Sequence, residues 1–195
     1  MNLNKTIFNY DNFFNWMESL AKIGKTSGDN QTQVLADFTT LNMRRMSRLN
    51  KTLKLDDELI EALNTITKPQ TWLVITEAWC GDSAQSLPVI GKMTNYSEKI
   101  ALSVVLRDEN PELMEQYLTN GSKSIPKLIV FDNRDQELFT WGPRPIPAQQ
   151  LFINWKNNPQ GRNWEDFEKE LHTWYARNKA KAMQQEFIQL LSKFE

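Results

Sequence analysis

Apolar residues in the first third of the chain recur at helical spacing. Phe8, Phe13, Phe14, Trp16, Met17 and Leu20 form one cluster. Leu35, Phe38, Leu41, Met46, Leu49 and Leu53 form a second, after the turn-rich stretch GKTSGDN at residues 24–30. The polar side of this second helix carries Arg44, Arg45, Arg48, Lys51 and Lys54. Such a run is either a solvated helix face or a local site for an anionic partner. A third helix is predicted after Asp56, an N-cap residue followed by Asp57 and Glu58 where the helix dipole favours acids. Leu59, Ile60 and Leu63 are its buried stripe.

The pattern changes after Pro69. Thr71 to Thr76 is β-branched and aromatic and predicts a strand, and Ile100 to Leu106 suits a strand buried on both faces. Residues 127–132 and 137–141 predict two more, close enough for an antiparallel hairpin. A helix follows the Cys-Gly-Asp-Ser turn at 80–83. Another starts at Pro111, buries Leu113, Met114, Tyr117 and Leu118, and is expected to end at Asn120-Gly121 as its C-cap. Crossover helices favour parallel pairing of the first two strands. Gly142-Pro143-Arg144-Pro145 stops the last strand, and Pro147 to Lys156 predicts a helix.

From Trp164 to Phe194 the apolar positions mark one long amphipathic helix, about 45 Å if unbroken. It is expected to pack on the N-terminal helices, to bend, or to join a second copy as a homodimer. His172 lies on it and reads as a packed or surface residue rather than a ligand. The sum is an α/β chain with a mixed sheet: a helical N-terminal extension (1–60), a central domain (61–157) and a C-terminal helix (158–195) that packs on the domain or on a partner.

Composition changes this picture little. The 195 residues are 40% hydrophobic and 24% charged, with net charge −1. No global charge footprint points to nucleic acid, and no apolar run is long enough to span a bilayer. MNLNKTIFNYDNFF lacks the apolar core and cleavage site of a secretory leader, so a cytoplasmic location is expected. One cysteine, Cys80, excludes an intrachain disulfide and a multi-cysteine metal site, and no metal or cofactor is expected.

Cys80 sits where a buried strand meets a helix. Unpaired N–H groups and the helix dipole there favour thiolate, and a hydrogen bond from Ser83 does the same. Asp82 acts the other way, and Trp79 offers an apolar wall. Local chemistry leaves a reactive thiol and a small packed hydrophobe both open.

Trp79-Cys80-Gly81-Asp82-Ser83 resembles the thioredoxin motif Trp-Cys-Gly-Pro-Cys, with serine in the second cysteine's place. Pro88, eight positions after Cys80 (88 − 80), matches the proline within the active-site helix of that family. Asp108-Glu109-Asn110-Pro111 is similar to its Asp-x-Asn-Pro turn, and Ser124-Ile125-Pro126 to the segment whose cis proline faces the sulfur. Gly142 matches the glycine that shapes the substrate groove. The resemblance covers roughly residues 60–156 and implies a thioredoxin fold with added N- and C-terminal helices. It also implies Cys80 and Ser83 as catalytic positions, and Trp79, Gly81, Asp82, Ile125, Pro126, Trp141 and Gly142 as substrate-binding positions. Ile125 would offer its backbone to an extended chain. Two departures bear on mechanism. Ser83 cannot resolve a mixed disulfide, and Val74 stands where the family has a buried Asp.

Three functions follow as expectations. The first is monothiol exchange, with Cys80 attacking protein or low-molecular-weight disulfides and an external thiol resolving the intermediate. It expects an exposed thiol titrating below the free value. The second is a redox-inactive binding module for a peptide or protein. The third, an iron–sulfur cluster held between two copies, is suggested by the similarity of Cys-Gly-x-Ser to monothiol glutaredoxins.

Overall fold

The protein is described by a computed structural model covering residues 6–194. Three helices come first: α1 (Tyr10–Lys22), α2 (Gln33–Thr52) and α3 (Asp57–Asn64). Then follow β1 (Gln70–Thr76), α4 (Gly81–Tyr96), β2 (Ile100–Leu106), α5 (Pro111–Gln116), β3 (Lys127–Phe131) and β4 (Glu137–Trp141). The chain closes with α6 (Ile146–Asn157), α7 (Trp164–Asn178) and α8 (Lys181–Leu191). No helix among the described residues is long and apolar enough to cross a membrane.

The strands form one mixed sheet in the order β2-β1-β3-β4. β1 runs parallel to β2 and antiparallel to β3, and β3 and β4 form the expected hairpin. Side chains alternate along a strand, so β1 feeds two cores. Trp72 and Val74 join a core built with α1 to α4 and α8, where Trp72 stacks on Phe187 at 5.7 Å. Leu73 and Ile75 join a second core with Leu113 and Met114 of α5, Ile125 and Cys80. A third, small cluster holds α6 to α7 through Ala148, Phe167, Leu171 and Tyr175. The candidate site therefore lies where the α5 face of the sheet meets the α6–α7 pair.

One expected element takes its bent form and another ends early. The predicted long C-terminal helix is two helices, because Lys179 and Ala180 take left-handed φ of 52° and 64°. The apolar residues on either side face different targets: Phe167 and Leu171 pack on α6, whereas Met183 and Phe187 pack on the sheet. A straight helix could not serve both. Asn178 accepts from the Ala182 N–H across the corner. The α5 helix stops at Gln116, well before Asn120-Gly121. Those two residues have positive φ and turn the chain between Thr119 and Ser122, which bridge as a tiny hairpin. Asn-Gly is as much the signature of that two-residue turn as of a helix cap.

Candidate active site at Cys80

β1 ends at Thr76, and the next four residues carry Cys80 to the N-cap of α4. The Cys80 sulfur accepts the Ser83 N–H at 3.5 Å, and its S–H donates to the Ile125 carbonyl at 3.3 Å. Cys80 is 7% exposed. The Ile125-Pro126 bond is cis. Gly142 closes this arrangement from β4. Its φ is +115°, and a Cβ there would lie 2.2 Å from the Pro126 carbonyl oxygen, so only glycine lets the two loops touch.

Added elements wall the turn in. Asp82 accepts from the Tyr175 hydroxyl of α7 at 2.8 Å and pairs with Arg144 at 2.7 Å. The Asn42 amide of α2 donates to the Ala78 carbonyl at 3.1 Å, and Arg45 donates to Asn42 at 2.8 Å. His172 of α7 reaches the same turn. A Cβ on Gly81 would meet its Nε2 at 3.0 Å and the Arg45 guanidinium at 3.3 Å. Glu77, buried just before the turn, accepts from Ser27 and from the Asp108 N–H, while Ser27 accepts from the Ala78 N–H. A cleft of about 680 Å³ opens above. Trp79, Cys80 and Ile125 lie on its sheet side, Phe38 on the α2 side, and Phe152 and His172 on the α6–α7 side.

A single strand-to-helix cysteine facing a cis proline occurs in this arrangement together with a mixed sheet, and the comparisons with known proteins agree with it. The thioredoxin family profile, described as "Thioredoxin", matches residues 28–156. The chain belongs to the thioredoxin family. Curated relatives include Thioredoxin 1 of Synechococcus elongatus, 37% identical over 54 residues, which is 27% of this chain and 48% of the relative. Thioredoxin 1 of a Nostoc species is 39% identical over the same proportions of both chains. The chain thus spans about half the length of these curated relatives. Among solved structures, a protein of unknown function from Pseudomonas aeruginosa is 18% identical with a TM-score of 0.60, covering 91% of this chain and 98% of that one. An HIV epitope-scaffold is 19% identical with a TM-score of 0.58 and the same coverage. These two likenesses speak for the fold, including the helices outside the central sheet.

In this thioredoxin-family chain the thiol balance left open by the motif falls on the neutral side. Burial pushes Cys80 up to about 11, and the Asp82 charge adds to it, against hydrogen bonds from Ser83 and the Asp82 backbone. The expected exposed thiol below the free value is therefore not what the fold builds. Burial and then Asp82 likewise hold the Tyr175 hydroxyl well above its ordinary range. Burial pulls the Arg45 guanidinium down, opposed by Glu168 and Asp82. Burial raises Glu77, with the Ser27 hydrogen bond opposing.

Of the residues expected at the site, Trp79, Cys80, Gly81, Asp82 and Ile125 line the cleft. Pro126 packs behind it against Gly142. Ser83 is buried, and its hydroxyl accepts from Thr76 at 2.6 Å. Trp141 does not reach the cleft. It shares the Phe139 face of β4, packs 5.5 Å from Phe187, and donates its indole N–H to Glu186. Val74 is buried in the core on the opposite face from Cys80. Ser27, Asn42, Arg45, Arg144, His172 and Tyr175 were not foreseen as site residues. Only the His172–Tyr175 spacing carries a local signal, since i and i+3 place both side chains on one helix face.

Proposed function

We propose that the protein performs single-thiol exchange on disulfides that first seat in the cleft. One observation carries this reading. The only thiol stands at the N-cap of a sixteen-residue helix, against the Ile125 carbonyl, on the floor of a cleft of about 680 Å³. After Cys80 gives its proton to solvent, the thiolate attacks one sulfur of a substrate R–S–S–R. The Cys80–S–S–R bond forms, the substrate S–S bond breaks, and RS⁻ leaves and takes up a proton. Ser83 cannot displace R, so a low-molecular-weight thiol R′SH, as its thiolate, must attack the sulfur of R, forming R–S–S–R′ and expelling the Cys80 thiolate, which takes up a proton. The walls formed by α2, α6 and α7 favour small substrates over folded-protein disulfides. Intact mass spectrometry after incubation with small disulfides tests this. One adduct per chain is expected, released by added thiol and absent in Cys80→Ser. No adduct with any disulfide would defeat the exchange reading.

The neutral, buried thiol and the locking of Asp82 by Arg144 and Tyr175 support a second reading, a thioredoxin-fold binding module. In that case a Cys80→Ala chain keeps full partner binding and full cellular function.

A further inference from the structure

The charges around the cleft are unbalanced. Arg107, Lys123, Arg144 and Lys156 line it against Asp82 and Glu168, leaving two positive charges in excess (4 − 2), His172 not counted. One of the two lining acids is already engaged. Asp82 is shared between Arg144 and Tyr175, and Glu168 stands 3.7 Å from His172. Arg107 and Lys123 pair with Asp108 and Glu115, neither of which lines the cleft. Lys156 has no ion-pair partner among the described residues. Behind Gly81, Arg45 has no carboxylate at ion-pair distance among them either. The buried Nε of Arg144 has no hydrogen-bond partner. Arg45 is half-buried, where a cation without a counterion is costly unless an anion comes near it, whereas Lys123 and Lys156 are exposed and offer their charge from the cleft rim.

We propose that the cleft binds a low-molecular-weight disulfide carrying carboxylates, with its acidic ends on Arg107, Lys123 and Lys156 and its sulfur over Cys80. The proposal rests on the exchange reading for the sulfur and on the cation surplus for the acids. The volume falls within the ~300–1,000 Å³ usual for small-molecule sites. Trp79 and Phe152, each under an arginine guanidinium at 4.8 and 4.6 Å, supply apolar walls for the aliphatic part.

Three disulfides of equal length separate charge from size: 2,2′-dithiodiacetate, bis(2-hydroxyethyl) disulfide and cystamine. Each rate of Cys80 adduct formation is divided by the rate with free cysteine, so that intrinsic reactivity cancels. Each exposed ion pair contributes a factor of about 1.5–5, so two carboxylates should favour the acidic disulfide about tenfold over the neutral one. Cystamine should be slower still. Added salt should compress the series. The combined variant Arg107→Gln, Lys123→Gln, Lys156→Gln should level it while a far-ultraviolet spectrum confirms folding. A flat or reversed order overturns the proposal, as does reaction with peptide disulfides only. A separate arm needs no exchange chemistry. By calorimetry, 3,3′-thiodipropionate, a thioether, should bind wild-type chain more tightly than 2,2′-thiodiethanol and lose affinity in the combined variant. Equal affinities there overturn the anion site. A clear preference there with no adduct in the first arm keeps the anion site and removes the exchange reading.

Discussion

The Cys80 thiol should be slow to alkylate, and by a calculable amount. With the thiol pushed up to about 11, roughly one molecule in ten thousand carries a thiolate at neutral pH, against roughly 3% of free cysteine titrating near 8.5. That difference alone is roughly 300-fold. A more basic thiolate is the better nucleophile, with a Brønsted slope of about 0.4–0.5, which restores roughly 13-fold. Iodoacetamide should therefore modify Cys80 roughly 20-fold more slowly than free cysteine at pH 7, before any loss from shielding. The rate should keep rising through pH 10 without levelling. Asp82 contributes to the shift, so Asp82→Asn should move the inflection down and raise the neutral rate, while the amide can still accept from Tyr175. Urea-unfolded protein supplies the reference and should react as free cysteine does. An inflection at or below 8.5 with a neutral rate matching or exceeding free cysteine would refute the reasoning. It would show that the helix N-terminus and Ser83 outweigh burial.

Three other outcomes follow from the same geometry. Gly142→Ala places a Cβ against the Pro126 carbonyl in a left-handed backbone and should cost about 2–5 kcal/mol in chemical denaturation. A loss under about 0.5 kcal/mol would mean that the loop contact is soft. Arg144→Ala leaves the Asp82 carboxylate buried without its counterion and should destabilise by about 3–5 kcal/mol, most of it recovered when combined with Asp82→Asn. Stability should also fall on the alkaline side. Cys80, Tyr10 and Tyr175 all titrate higher in the fold than unfolded, so the unfolded chain loses protons first. The contribution of Cys80 is complete below pH ~8.5 and is lost as pH climbs toward 11, at up to about 1.4 kcal/mol per pH unit. Denaturation midpoints should show this slope, and Cys80→Ala should remove its lower part while leaving the tyrosine part.

Much of the fold can be read from the chain because local pattern and long-range pairing agree there. The four strands, their pairing sense and the helix after Cys80 follow from apolar runs, turn residues and crossover lengths. The positions of Cys80, Ile125-Pro126 and Gly142 follow from motif spacing. The corner at Lys179–Ala180 does not, since no glycine or proline marks it and its cause is the separation of two docking surfaces. The thiol's environment is equally hidden. Nothing near residue 80 says that Tyr175, 93 positions on, will hold Asp82, or that Ser27 in a turn-rich stretch will be buried under Glu77. Trp141 shows the opposite failure: a motif placed it near the site, and strand alternation turned it into the core.

The far reach of α8 has a consequence for how the molecule is made. Gln184 holds both the Asp56 N–H and the Lys54 carbonyl, across 128 and 130 positions, and Phe187 lies against Trp72 and Phe139. During translation β4 is finished at residue 141, but its apolar face waits for residue 191. At ~5–20 residues per second, that gap of fifty residues (191 − 141) lasts roughly 2–10 s. For that interval Trp72, Phe139 and Trp141 form an open aromatic surface. The nascent chain is then a target for chaperones and for neighbouring chains, and a ribosome stalled before α8 leaves it so.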